Sequence, residues 1–206
     1  MTESPKSERS LPTWINRPWK YCPLCAGDLT ERVIDTKKRL TCSKCGFVHY
    51  QNPKVAVVIV VVKDGKLLLD KRDIEPQRGQ WSFPSGYVDI GETVEEAAVR
   101  EASEETGLGI HLDRLVGVYS SKDRPIVLVV FGASVVSGDL ETGDESQDVR
   151  FFDLDELPEL AFPHDMQILQ DCLNLRGLPV RESSGDSGHD SPASGQGDQD
   201  NERYLE

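Results

Sequence analysis

Residues 86–108 constrain this chain more tightly than any other stretch. Gly86 is followed after five residues by Glu92, and after seven more by Arg100-Glu101-Ala102-Ser103-Glu104-Glu105-Thr106-Gly107-Leu108. Thr93 with Glu96 three residues later forms a capping box, so a helix is expected to begin at Val94, and Gly107 supplies the left-handed residue that ends it. Ala98, Val99 and Ala102 are expected to turn toward a sheet, while Glu101, Glu104 and Glu105, at i, i+3 and i+4, share one helical face. Carboxylates placed so closely repel one another unless a cation sits among them. On spacing alone they form either a solvated face, with Arg100 in surface ion pairs to Glu96 and Glu104, or a cation site. Hard divalent cations such as Mg²⁺ draw on carboxylate oxygens and share the rest of their shell with water and phosphate, so an acidic helix after a glycine turn suits phosphate chemistry.

Gly86, Glu92, Arg100, Glu101, the apolar Ala102, Glu104, Glu105, Gly107 and Leu108 fill every specified position of the signature G-x5-E-x7-R-E-U-x-E-E-x-G-U, with U apolar. On those residues the chain resembles the Nudix hydrolases. The resemblance implies an α/β fold, an α/β/α sandwich about a mixed sheet, and hydrolysis of a phosphoanhydride with Mg²⁺ or Mn²⁺. It implies that Glu101 and Glu105 are the principal metal ligands, that Glu104 is a further ligand directly or through water, and that Ser85 offers its backbone carbonyl. Many members have Pro-Gly-Gly where this chain has Pro84-Ser85-Gly86, a departure that matters little when only the carbonyl is used. Arg100 is expected to orient the glutamates together with Glu92. The general base varies within the family between the first helix glutamate, here Glu101, and a carboxylate on a downstream loop. Asp144-Glu145 lies where that loop should be, so Glu145 is a further metal ligand, the base, or a solvated turn charge.

Cys22-Pro-Leu-Cys25 and Cys42-Ser-Lys-Cys45 are two C-x2-C pairs separated by sixteen residues, the spacing of a four-thiolate zinc ribbon. The alternatives are a pair of disulfides, which a reducing compartment disfavours, and unconnected thiols, against which the paired C-x2-C spacing argues. A ribbon over residues 18–50 has too little apolar content to fold on its own core, so zinc would supply much of its folding free energy. Four thiolates leave no open position for water, which makes the zinc structural. Between residues 18 and 52, six basic residues stand against three acidic ones, a net +3 before the thiolates are counted. That excess is modest for nucleic-acid recognition, and a scaffold or dimerisation role is favoured. Cys172 stands alone and reads as a small buried hydrophobe.

A catalytic domain over residues 51–177 is expected to hold the rest of the fold. Residues 55–62 are eight successive apolar residues, a strand buried on both faces, and Lys63-Asp64-Gly65-Lys66 is a hairpin turn into a partner over 67–69. Further strands are expected over 110–119 and 126–136, the family resemblance implies a late strand at 150–152, and a second covering helix is expected over 165–175 from Met166, Ile168, Leu169, Cys172 and Leu175. Residues 1–17 read as a flexible arm, and 178–206, with seven acidic against two basic residues, as a disordered tail that carries −5 of the net −13. Such a charge disfavours non-specific binding to nucleic acid or an anionic membrane. No apolar run is long enough to span a membrane and no signal-type segment opens the chain, so a cytoplasmic protein is expected.

Substrate choice is less legible. Arg72 is a candidate phosphate contact or a surface arginine at a strand end. Tyr87, Trp81 and Phe83, with Tyr119, are candidate stacking partners for an adenine or flavin ring, or else core residues. The zinc-ribbon members of the family resemble two kinds of dinucleotide pyrophosphatase, the NADH type and the FAD or NAD(P)H type, and similarity to them implies a homodimer. The NADH type carries Ser-Gln-Pro-Trp-Pro-Phe-Pro after the signature, where this chain reads Tyr119-Ser120-Ser121-Lys122-Asp123-Arg124-Pro125. ADP-ribose enzymes often carry a proline beyond the signature, a place Pro125 fills. The expected activity is cleavage of a nucleoside diphosphate linked to another moiety (FAD, NAD(H) or ADP-ribose) to a nucleoside monophosphate and a phosphorylated remainder. Hydrolysis of an NAD cap or of nucleoside triphosphates, and nucleotide sensing without catalysis, are the alternatives.

Overall fold

The computed structural model describes residues 19–122 and 124–175; the expected amino-terminal arm and acidic tail lie outside the described residues. The strands β1 (Leu29–Ile34), β2 (Lys37–Cys42) and β3 (Val48–His49) form a small antiparallel sheet in the order β1-β2-β3. The larger, seven-stranded sheet comprises β4 (Lys54–Lys63), β5 (Lys66–Arg72), β6 (Trp81–Ser82), β7 (Ser85–Tyr87), β8 (Gly109–Ser121), β9 (Arg124–Ser137) and β10 (Ser146–Asp153), with the main path β10-β5-β4-β9-β8. It is mixed, because β4 and β9 run parallel while the other pairs are antiparallel. No helix among the described residues is long and apolar enough to cross a membrane.

The two helices cover opposite faces. Alternate side chains of a strand point to opposite sides, so the apolar run in β4 can feed two cores. Val57, Ile59 and Val61 pack with Leu68, Phe131, Ala133 and the alanines of α1 (Val94–Thr106). Val58 and Val60 pack with Leu67, Leu69, Phe83, Val130 and with Ile168, Leu169 and Cys172 of α2 (Asp165–Leu175). This is the sandwich the sequence implies, with Cys172 fully buried as a small hydrophobe.

Two details of the helices differ from expectation. Ala97, Ala98 and Ala102 are the buried residues of α1, whereas Val99 is exposed, because it lies about 100° around the helix from Ala98 and off the stripe formed at i and i+4. In α2, Met166 and Leu175 are exposed and Leu173 is buried in their stead. The ends of α1 are as read: Thr93 is the N-cap in a reciprocal capping box with Glu96, and Gly107 is left-handed at φ 72°.

The β4/β5 hairpin creates the hollow that matters. Asp64 and Gly65 both take positive φ, 52° and 79°, as a tight turn of matching twist requires. Past the turn the strands pair only at Val62↔Leu67 and Lys63↔Lys66 and then diverge. Residues 81–87 fill the fork: β6 pairs with β5, β7 pairs with β4, and between them the Ile59 N–H donates to the Pro84 carbonyl at 2.9 Å.

Asp165, at the start of α2, gives the fold a pH dependence. It is 3% exposed, accepts the Phe162 N–H at 3.0 Å and stands 3.6 Å from the Nε2 of His164. Burial pushes its carboxyl up to about 6, against the pull of that N–H and of Arg72 and Arg124. Burial and Arg124 lower the pKa of His164. A folded-state pKa above the unfolded value means that the folded chain holds the extra proton, so this contribution favours folding at low pH and is lost as pH rises through about 6. Asp165→Asn keeps an acceptor and removes the titration. Urea unfolding of both proteins between pH 4 and 7 should show wild type losing up to about 3 kcal/mol relative to the variant as pH rises.

Candidate active site

Helix α1 aims two carboxylates at β7. A Cβ on Gly86 would overlap the Glu101 carboxylate, so only glycine lets strand and side chain approach. One turn further, Glu105 Oε2 accepts the Ser85 N–H at 2.8 Å. Glu104 does not join them: its side chain is 61% exposed and bonds Arg100 Nη1 at 3.0 Å. The reason is angular. Residues at i and i+4 differ by about 40° around a helix and those at i and i+3 by about 60° the other way, which leaves Glu104 on the flank of the Glu101–Glu105 pair.

Arg100 fixes this arrangement. Its Nε and Nη2 donate to both oxygens of Glu92 at 3.1 and 2.7 Å, its Nη1 donates to Glu101 Oε1 at 2.8 Å, and its Nη2 also reaches the Tyr87 carbonyl at 3.1 Å. All three guanidinium nitrogens are thus engaged by the protein, in the forked geometry that lysine cannot reproduce. Arg100 and the Asp89 N–H together hold the Glu92 carboxyl down at about 2. Substituting Gly86→Ala should push Glu101 off β7 and lower turnover by about 100-fold, since a displacement near 1 Å has that effect on catalysis. A rate assay paired with a thermal melt that stays near wild type would show the loss to be local.

Asp70 is a residue the sequence reading did not single out. It is 2% exposed, and burial raises its carboxyl to about 6, with Ser146 and Arg72 pulling down and Glu145 pushing up. The signal was a lone charge after Leu67-Leu68-Leu69: Asp70 follows Leu68 by two residues and so shares the face that α1 covers. Its charge acts in turn on Glu105, whose carboxyl is pushed up to about 9, chiefly by burial. Glu101 is raised as well, mainly by burial, with Arg100 opposing.

Glu145 is exposed, and its charge reaches both Glu101 and Asp70. The loop before it docks on the end of α1, where the Glu141 and Gly143 N–H groups donate to the carbonyls of Thr106 and Glu105 at 2.9 and 3.1 Å. A Cβ on Gly143 would overlap the Glu104 carbonyl, so this second glycine belongs to the site's framework.

Of the substrate candidates, Arg72 and Tyr87 stand at the fork. Arg72 is no surface arginine: it is 9% exposed, its Nε donates to the Pro76 carbonyl at 2.9 Å, and its guanidinium lies 5.4 Å from the Phe162 ring centre. Its charge is felt at Asp70, Glu105 and Tyr87. Tyr87 is 38% exposed beneath Lys54, whose Nζ is 4.4 Å from the ring centre. Trp81 and Phe83 take the core alternative. Ser82 stands opposite Asp70 and so faces α1, which turns both neighbours to the α2 side. Phe83 is closed into that core, and Trp81 packs against it with its ring edge-on to Phe152 at 4.7 Å. Tyr119 is tied to α2 through a 2.7 Å bond to Asp171.

Cys22, Cys25, Cys42 and Cys45 are, among the described residues, the group of three or more candidate ligands whose donor atoms all lie within 4.8 Å of one another. The two knuckles share a geometry. Cys22 and Cys42 donate their N–H to the carbonyls of Gly27 and Phe47, and their own carbonyls accept the N–H of Ala26 and Gly46, which have φ of 55° and 78°. The donor chemistry of the second centre is different. Glu101 and Glu105 are hard oxygen donors in surroundings that penalise bare carboxylates, which suits a hard divalent cation.

A model of the NUDIX domain matches residues 52–172, which hold the fork, α1 and every carboxylate described above. The chain belongs to the Nudix family. A Nudix N-terminal zinc-ribbon model matches residues 20–51. This Nudix hydrolase is 47% identical over 131 residues to an ADP-ribose pyrophosphatase of Methanocaldococcus jannaschii, an overlap of 62% of this chain and 77% of that protein. It is 27% identical over 148 residues to an NAD-capped RNA hydrolase NudC of Vibrio atlanticus, covering 71% of this chain and 54% of that one, so the chain spans about half of that relative. Among solved structures it resembles a Nudix hydrolase from Nitrosomonas europaea, with TM-score 0.73, 35% identity and coverage of 79% of this chain and 96% of the other.

Proposed function

We propose that this Nudix protein hydrolyses the phosphoanhydride of a nucleoside diphosphate linked to another moiety, ADP-ribose foremost, to a nucleoside monophosphate and a phosphorylated remainder. The observation that carries the proposal is the pair Glu101 and Glu105, seated on Ser85 and Gly86 and squared by Arg100. The similarity to an ADP-ribose pyrophosphatase across most of that protein's length points to the substrate.

Glu101 and Glu105 would hold Mg²⁺ or Mn²⁺, with the Ser85 carbonyl as a further ligand and Glu104 reaching the ion through water. A cation bound there would neutralise the diphosphate, polarise a phosphoryl oxygen and make a water acidic enough to attack phosphorus. Arg100 keeps Glu101 in place and does not touch substrate. Glu145, exposed at the rim and clear of the Arg100 network, takes the proton from the attacking water. Arg72 grips a phosphate on the opposite wall, and Tyr87 offers its exposed ring to a base or flavin. The four cysteines would hold zinc as a structural ion. The thiol cluster accords with a cytoplasmic setting, and a homodimer is proposed for the assembly, to be read by light scattering.

A second reading, hydrolysis of the NAD cap of RNA, is favoured by the similarity to NudC and by the net +3 of residues 18–52. Assaying ADP-ribose, FAD, NADH, nucleoside triphosphates and NAD-capped RNA with Mg²⁺ separates the readings. Nucleoside monophosphate should appear fastest from ADP-ribose. No turnover of any of them would leave a nucleotide-binding domain without hydrolysis.

A further inference from the structure

We propose that Asp73, which follows β5 directly and lies outside the signature, is a positioning residue: through Gln147 and Arg78 it clamps the loop that carries Glu145 and holds that residue beside the fork. The inference rests on the reading of Glu145 as the base. Asp73 itself touches neither cation nor substrate.

The loop ahead of β10 is tied down at two points. At the first, the Gly143 N–H donates to the Glu105 carbonyl at 3.1 Å, and Gly143 lies so close to α1 that a Cβ there would overlap the Glu104 carbonyl. The Ser146 N–H then donates to the Gly143 carbonyl at 3.1 Å, closing a turn with Glu145 inside it. At the second, the Asp73 N–H donates to the Glu145 carbonyl at 2.8 Å. Backbone bonds alone thus string Glu145 between the end of α1 and the end of β5.

Side chains complete the second tie. Ser146 pairs with Arg72 and Asp148 with Lys71, so Gln147 is the extra residue of a bulge. Without it Gln147 would stand opposite Arg72 and Ser146 opposite Asp73, a step that would carry Glu145 one residue further past the end of β5. The bulged Gln147 donates from Nε2 to Asp73 Oδ1 at 2.9 Å. That same oxygen accepts from Arg78, from Nε at 2.9 Å and Nη2 at 2.8 Å. One carboxylate oxygen therefore joins β10 to the loop over 73–80. The neck of that loop is closed in turn, by the Arg72 N–H on the Gln80 carbonyl at 3.0 Å and the Gly79 N–H on the Arg72 carbonyl at 2.8 Å. Gln147 foremost, and Arg78, hold the Asp73 pKa down, so the clamp stays charged. Exposed pairs of this kind add little to global stability, but a displacement near 1 Å of a group in the chemistry costs up to about 100-fold in rate.

Asp73→Ala removes the shared oxygen and keeps the backbone bond, so on the full chain it should lower kcat for ADP-ribose about tenfold, with KM, Mn²⁺ affinity and melting temperature near wild type. Asp73→Asn, which keeps an oxygen for Gln147, should restore most of the rate. The decisive comparison is made in Glu145→Gln, where adding Asp73→Ala should cost nothing more, because the clamp acts only through that side chain. Amide exchange at Gly143 and Ser146 reads the loop without turnover and should be about tenfold faster in Asp73→Ala. An equal further loss of rate in Glu145→Gln, or wild-type exchange in Asp73→Ala, would overturn the clamp. Should Asp73→Ala fail to fold, Gln147→Ala, which removes the other partner, takes its place in each comparison. Full hydrolysis by Glu145→Gln together with faster exchange in Asp73→Ala would instead remove Glu145 from the chemistry and leave the tie on its loop standing.

Discussion

Glu105→Gln should lower Mg²⁺-dependent hydrolysis by about 1,000-fold while leaving the fold intact, because a cation's stabilisation of the developing charge is worth several kcal/mol and each 1.4 kcal/mol is tenfold in rate. The amide keeps the shape of the side chain, and its oxygen still accepts the Ser85 N–H that now bonds Glu105 at 2.8 Å. What it loses is the charge, which is the property that holds a cation. Burial already penalises that charge, so the substitution should not lower the melting temperature of the metal-free chain. Glu145→Gln makes the contrast. As the proposed base it should lower turnover by about 100-fold, with Mn²⁺ affinity little changed. Steady-state rates and Mn²⁺ titrations on both variants separate the roles: Glu105→Gln must lose both binding and rate. Wild-type hydrolysis by Glu105→Gln would remove that side chain from the chemistry.

The signature made the helix legible because each end of it is a local device: Thr93 and Glu96 bond one another, and Gly107 needs nothing beyond its own φ. The β4/β5 hairpin was legible for the same reason, its Asp-Gly turn carrying the required conformation. What local pattern cannot show is where a strand goes once it leaves its neighbour. The divergence of β4 and β5, and the insertion of residues 81–87 between them, depend on pairings remote in sequence. That insertion decides which face Trp81 and Phe83 take, so two aromatic residues adjacent to the signature in sequence fall on the far side of the sheet from its glutamates. The same register brings Asp70 in. Read linearly it ends an apolar strand; in the sheet it is a buried carboxylate opposite Ser82 and within the field of Glu105. Glu104 shows the opposite case, a signature residue whose side chain the fold leaves exposed on Arg100.

Removing metal from the four cysteines should unfold residues 20–51 as a unit while residues 52–172 keep their own cooperative transition. Among the described residues from 19 to 50 only Cys22, Thr41 and Cys42 are buried, so two of the three are metal ligands and no apolar core remains once the ion has gone. Strands β1 to β3 pair only with each other, and the larger sheet contributes no strand to hold them. Structural zinc in peptides of this size supplies about 10–16 kcal/mol near neutral pH, more than a three-stranded sheet of this kind can find elsewhere. Cys42→Ser should therefore release one zinc per chain and abolish amide-exchange protection across β1 and β2. Cys45→Ser, at the exposed corner of the cluster, should weaken zinc binding and keep part of that protection. Hydrolysis of a small dinucleotide should persist in both, since the fork, α1 and the carboxylates all lie beyond residue 52. Full protection of β1 and β2 in zinc-free protein would contradict the assignment of the ion as the ribbon's core, and a parallel collapse of hydrolysis would show that the ribbon braces the catalytic domain.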